Sequence, residues 1–244
     1  MGWIINPSPL VACPVLNQDL SFPVKNIYCV GRNYRDHAFE MGSNPDRETP
    51  FFFQKISEIL LLPGSNLEYP DDTNELHHEV ELVVAISNGG YKIHKSEAKD
   101  MIFGYAVGVD LTKRDIQKKA KESGKPWLSG KVFSGSAAIS EIVLKDDSLD
   151  ADKLEISLSV NGDLRQNSGC DKMIWSVNEI IFLLSQTVPL GPGDLIYSGT
   201  PSGVGKIEKG DTVSAILHQE NSAVSYTHLR AHETLRYRGF RGVR

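Results

Sequence analysis

Leu76-His77-His78-Glu79-Val80-Glu81-Leu82-Val83-Val84-Ala85-Ile86 is the stretch that decides the fold. The apolar, β-branched run over residues 82–86 predicts a buried strand, with Glu79 and Glu81 at its entrance. Side chains alternate along a strand, so residues two apart share a face, with Cα atoms roughly 7 Å apart. Two carboxylates aimed the same way at the mouth of a buried strand repel each other unless positive charge lies between them. Taken alone, a Glu-x-Glu pair is more often the solvent face of a half-buried strand. A third carboxylate shifts that balance. Residues 104–110 (GYAVGVD) form a second apolar strand candidate, and Asp110 stands at its C-terminal end. Two strands that each deliver acid at one end can build an all-oxygen site for a hard cation such as Mg2+ or Mn2+.

Around this pair the chain is ordinary in bulk. Its 244 residues suffice for one large domain with an ample core, or two small ones. With 40% hydrophobic and 23% charged residues it has the composition of a soluble globular protein. No apolar run approaches the roughly 18 residues that a membrane span needs, and no secretory pattern opens the chain. The net charge of -5 argues against a nucleic-acid surface but not against local capture of a small anion. Cys13, Cys29 and Cys170 are scattered, odd in number and without metal spacing, so they read as reduced thiols in a cytoplasmic protein. No repeat or linker divides the chain. The expected organisation is an N-terminal arm over residues 1–23 and a single domain over 24–221.

The flanking segments add further candidates. Residues 25–30 read as a strand ending at Gly31, and residues 32–42 as a short helix closed by Gly42. His37 and Glu40 are three apart on that helix and so are neighbours on one face. A carboxylate beside an imidazole raises its basicity and fixes its orientation, as a general base requires. Read alone, this is a surface pair of small energetic worth. Residues 43–50 form a polar, proline-bounded loop able to act as a lid, and residues 51–55 (FFFQK) return to a strand whose phenylalanines belong to the core. Thr112 with Asp115 predicts a capped helix ended by Gly124, and Arg114 and Gln117 share its face just beyond Asp110. Their plain alternative is a solvated helix face. Lys131 is a lone lysine among small and apolar residues. Leu154, Ile156, Leu158 and Val160 alternate ahead of an Asn161-Gly162 hairpin turn, and Ser176 with Glu179 caps an amphipathic helix. Residues 198–205 (SGTPSGVG) are glycine-rich without the Gly-Lys-Ser/Thr ending of a phosphate-binding loop.

Together these pieces resemble the fumarylacetoacetate hydrolase family. The matching stretches are 27–42 (IYCVGRNYRDHAFEMG), 76–86 (LHHEVELVVAI), 104–117 (GYAVGVDLTKRDIQ), 126–133 (PWLSGKVF), 160–166 (VNGDLRQ) and 198–205 (SGTPSGVG), in the family's order. Within it the chain looks closest to the acylpyruvate and fumarylpyruvate hydrolases. The resemblance implies a mixed, mainly β fold with peripheral helices, a β-sandwich roll, assembled as a homodimer. It implies metal ligands at Glu79, Glu81 and Asp110 holding Mg2+ or Mn2+. It implies a water-activating dyad at His37 and Glu40, an active-site lysine at Lys131, and substrate contacts at Arg114, Gln117 and Thr200. The implied activity is hydrolysis of a C–C bond in an acylpyruvate, a small anionic 2-oxo acid, with fumarylpyruvate from aromatic catabolism as the leading substrate. Oxaloacetate decarboxylation or tautomerisation, and 2-hydroxydienoate isomerisation, are the alternatives within the family. A non-catalytic small-molecule or metal-binding protein is the alternative outside it, and the His37–Glu40 pair argues against it.

One part departs from the family pattern. Residues 222–244 look like translated sequencing-adapter or vector sequence and carry five arginines against one glutamate. The expectation is a non-native tail outside the fold.

Overall fold

The structure is a computed structural model and describes residues 4–42, 49–220 and 222–233. Its centre is the strand predicted first. Val80–Ile86 is buried along its whole length and pairs antiparallel with Ile102–Asp110. On its other edge lies Leu195–Tyr197, which pairs in parallel with Asn26–Gly31, and that strand pairs antiparallel with Phe51–Ile56. Ala137–Ile139 completes the ladder beside Ile102–Asp110. A continuous apolar run, rather than an alternating one, reflects burial on both faces. Val80, Leu82, Val84 and Ile86 point into the larger core with Val107 and Val109, whereas Val83, Ala85 and Ala106 point into a second core with Ile27, Cys29 and Tyr197.

The larger core is closed by a second sheet. Leu154–Val160 pairs with Asp163–Gly169 on one side and with Thr212–Gln219 on the other. Leu154, Ile156, Leu158 and Val160 face inward, so the predicted alternation packs this sheet on the first as a sandwich. Helix Val177–Ser185 covers one end; the Ser176 N–H donates to the Glu179 carboxylate at 3.1 Å, as the capping pattern predicts. The smaller core is lidded by the N-terminal segment, where Val11–Pro14 pairs with Ser21–Val24 and buries Cys13, Phe22 and Val24. All three cysteines are free and buried. No helix among the described residues is long and apolar enough to cross a membrane.

Two expectations need correction. The Thr112–Asp115 cap does not form: Thr112–Lys113 is extended, pairs with Leu76–His78, and the helix runs Arg114–Glu122. Asp115 instead accepts from the Thr73 hydroxyl at 2.6 Å, which ties the helix to a neighbouring loop. The larger correction concerns the end of the chain. Residues 222–233, set outside the fold by sequence, form strand Ser222–Glu233, which pairs antiparallel with Thr212–Gln219 and in parallel with Leu67–Tyr69. Ser225, Thr227, Leu229 and Ala231 turn inward while Tyr226, His228 and Arg230 are exposed. The alternation is real, but its inward side is small and half polar, so hydrophobicity alone hides it. Residues 234–244 lie outside the described residues. Truncation after Asn221 is therefore expected to lower the Tm by about 5 °C or more, because it bares the Thr212–Gln219 edge and removes buried Leu229. An unchanged calorimetric Tm would show the strand to be a passenger.

Candidate metal centre and active site

The strand geometry places the acids where the alternation predicts. Glu79 falls between Leu76–His78 and Val80–Ile86, and its carbonyl accepts from the Asp110 N–H at 2.8 Å. Asp110 thus ends its strand directly across from Glu79, while Glu81 sits two residues further along the same face, opposite Gly108. All three acids are buried, with ligand oxygens within 4.8 Å of one another. The donor set is carboxylate oxygen only, which fits a hard divalent cation of the Mg2+ or Mn2+ kind.

Three buried carboxylates require positive charge, and three cations supply it. Lys131, on the short helix Leu128–Lys131, donates to Glu79 at 2.8 Å, Asp110 at 2.6 Å and the Thr112 hydroxyl at 2.7 Å. The Arg114 guanidinium pairs with the other oxygen of Glu79 and donates to Gln117 at 2.8 Å. Lys55 reaches Asp110 at 2.9 Å from below and also bonds to the carbonyls of Leu111, Lys131 and Ser136. Gly130 lets the two helices approach: a Cβ there would lie 3.0 Å from the Gln117 backbone nitrogen.

The charges are unevenly shared, and this separates the two glutamates. Burial acts to raise the Glu79 carboxyl, but Lys131 and Arg114 together overcome it and hold it below the usual carboxylate range. Glu81 has no such cation in contact. Its one close donor is the Gly199 N–H at 2.7 Å, and burial followed by repulsion from Asp110 and Glu79 pushes it well above the usual range. A carboxyl raised in this way favours the protonated fold, so its stabilising contribution is lost as pH rises through the raised value. A divalent cation must displace that proton. The stabilisation by added Mn2+, read as a Tm increase, should therefore grow as pH rises through the raised Glu81 value. A pH-independent increase would show that Glu81 is not a ligand.

The glycine-rich loop is the other organiser. Gly199 takes φ +99°, and a Cβ there would sit 2.7 Å from Asn33 Cβ, so only glycine permits the contact. Asn33 is held in turn by Trp175 and the Ser198 carbonyl. Gly199 donates to Glu81, and Gly203 donates to Glu40 at 3.2 Å. One loop thereby fixes an acid from each half of the site. Gln166 locks the loop to the hub: its carbonyl oxygen accepts from the Val80 N–H, and its amide donates to Thr200 Oγ1 at 2.8 Å.

His37 and Glu40 lie on helix Arg35–Glu40, shorter than the predicted 32–42 because Arg32 is left-handed and Asn33 is held by its side chain. The two side chains meet at 3.1 Å, with His37 buried and Glu40 exposed. His37, the three acids, Lys131, Arg114, Gln117 and Thr200 all line one cavity. Glu40 supports it from behind. Every residue singled out by sequence is thus at or beside this cavity. Residues 43–48 of the expected lid loop lie outside the described residues.

Sequence reading missed five participants. Lys55 carries no local signal beyond its place at the end of a strand that opens with three phenylalanines. Phe51 and Phe53, expected in the core, line the cavity, while Phe52 packs on the core. Gln166 and Asn33 act through hydrogen bonds to elements more than 80 residues away in sequence. No local pattern encodes those.

The model of the fumarylacetoacetate (FAA) hydrolase C-terminal family matches residues 26–225, and the chain belongs to that family. A fumarylpyruvate hydrolase from Ralstonia sp is 42% identical over 175 residues, 71% of this chain and 91% of that protein. The mitochondrial oxaloacetate tautomerase of Homo sapiens is 41% identical over 194 residues, 80% of this chain and 87% of that protein. The fold matches the crystal structure of fumarylpyruvate hydrolase from Pseudomonas aeruginosa in complex with Mn2+ and pyruvate, with a TM-score of 0.89 and 39% identity. That match covers 96% of this chain and 100% of the other.

Proposed function

We propose that the protein is a divalent-cation-dependent hydrolase that cleaves the C–C bond of an acylpyruvate, with fumarylpyruvate as its leading substrate and fumarate and pyruvate as products. The observation that carries this reading is one cavity holding both an all-carboxylate triad and a buried imidazole braced by a carboxylate. The Mn2+ and pyruvate of the Pseudomonas aeruginosa relative support it, since pyruvate is the product this reaction would leave at the cation.

Glu79, Glu81 and Asp110 would hold Mg2+ or Mn2+, which supplies a Lewis acid for the 2-oxo acid end of the substrate. Three carboxylates against Lys55, Arg114 and Lys131 leave that cation's charge uncompensated, and an anionic substrate is drawn to it. His37, oriented by Glu40, takes a proton from water. Hydroxide adds to the distal carbonyl, and Lys131 donates to the oxyanion that forms there. The bond between that carbon and the pyruvyl methylene then breaks. Its electron pair passes into the pyruvate enolate, which becomes pyruvate by taking up the proton that His37 removed from water and now returns. Arg114 and Gln117, already bonded to each other, and Thr200 hold the substrate in this orientation. A cytoplasmic enzyme assembled as a homodimer is part of this reading: scattered free thiols support the first, and the family resemblance supports the second.

The tautomerase relative favours a second reading, in which the same site stabilises an oxaloacetate enol without attacking water. Fumarylpyruvate, acetylpyruvate and oxaloacetate, each assayed with Mg2+ or Mn2+ and after chelation, decide between them. Cation-dependent cleavage of an acylpyruvate is expected. Full turnover after exhaustive chelation, or turnover of oxaloacetate alone, would overturn the proposal.

A further inference from the structure

The cavity has a second charged region that the proposed reaction does not use. Arg32 and Lys121 both line it, and among the described residues neither is paired with a carboxylate. Each sits instead on an aromatic ring. The Arg32 guanidinium carbon lies 5.7 Å from the Phe51 ring centroid, and Lys121 Nζ lies 4.8 Å from that of Trp127. The two rings meet edge to face with centroids 5.2 Å apart, so the four side chains make one continuous wall. A ring quadrupole holds a cation without neutralising it, which leaves the N–H donors and the full charge available.

Other observations give this wall a direction. The Arg32 backbone is set at φ +58° and by the anchored Asn33 that follows it, while its exposed side chain lies over Phe51. Lys121 feels Arg32: burial, then Arg114 and Arg32, lower its ammonium below the ordinary lysine value. Like charges that share a cavity wall, with no carboxylate paired to either among the described residues, are relieved by an anionic group of a ligand. Arg114 and Lys131 do not share this role, because both stand against the acid triad at the other end of the cavity and the proposed reaction already uses them there.

Resting on the acylpyruvate reading, we infer that Arg32 and Lys121 form a second anion subsite, which binds the far carboxylate of a substrate whose acyl arm is itself an acid. The triad end of the cavity takes the 2-oxo acid, the aromatic faces take the intervening carbons, and the paired cations take the other terminus. The preferred substrate class is then a 2,4-dioxo dioic acid rather than a 2,4-dioxo monoacid.

The test is calorimetric binding with Mn2+ present, using 2-oxoheptanedioate and 2-oxoheptanoate, which share the 2-oxo acid end and chain length but differ in the far terminus. The wild type should bind the dioate about 10- to 100-fold more tightly, the range of a charge-assisted contact. The double variant Arg32→Met, Lys121→Met, checked for an unchanged Tm, should lose that preference while its affinity for the monoacid stays near the wild-type value. Equal affinities on the wild type, a preference that survives in the variant, or a parallel loss of both ligands would each overturn the subsite. The two readings fail separately. Absence of acylpyruvate cleavage with the preference intact defeats the reaction, whereas cleavage of fumarylpyruvate without the preference defeats the subsite.

Discussion

His37→Ala should reduce acylpyruvate cleavage on the order of 10²–10⁴-fold, the usual loss when a general base is removed. The expectation rests on geometry: the imidazole is buried at the cavity wall and fixed by Glu40 at 3.1 Å, and Glu40 is itself anchored by the Gly203 N–H. Glu40→Gln should weaken cleavage strongly but less, since the glutamine can still accept from His37 Nδ1 without favouring its charged form. Any decarboxylation of oxaloacetate should suffer less from His37→Ala, because that reaction needs enolate stabilisation and no attacking water. Glu81→Ala should damage both reactions together by removing a cation ligand. The measurement is the ratio of the two activities across the three variants. Equal losses of both in His37→Ala would defeat this division of roles and make His37 a proton-transfer residue common to every reaction at the site.

Lys55→Met should lower stability by about 3–5 kcal/mol, the usual effect of removing one partner from a buried ion pair. For a chain of this size that corresponds to a Tm drop of about 6–20 °C. The Lys55 side chain is fully enclosed, and its ammonium contacts one carboxylate and three carbonyls. Methionine matches its length but donates nothing, so one oxygen of Asp110 and the Leu111 carbonyl are stranded in the interior. Lys172, whose pair with Asp171 is exposed to solvent, is the control, and Lys172→Met should leave the Tm unmoved. A Lys55→Met protein that melts within about a degree of wild type would falsify the view that this lysine underpins the acid cluster.

Most of the fold's centre, and the acids it carries, were determined by the sequence itself, because period and polarity are local properties. Residues 82–86 are apolar without alternation, so the strand had to be covered on both faces, and Glu79 and Glu81 had to share one. The alternation over residues 154–160 likewise required a one-sided sheet, and the three-residue spacing of His37 and Glu40 required adjacency on a helix. Tertiary structure alone decided what lies across from these elements. Asp110 meets Glu79 through strand pairing, and Lys55 and Lys131 reach Asp110 from segments 55 and 21 positions away. Gly199 and Gly203 bring backbone N–H groups to Glu81 and Glu40 from far along the chain. The last strand shows the same limit from the other side. Residues 222–233 carry too little inward hydrophobicity to announce themselves, and they find their place only because Thr212–Gln219 offers an unpaired edge and the larger core offers room for Leu229 and Ala231. Backbone pairing and ion pairing across long separations depend on register, and register is a property of the assembled sheets.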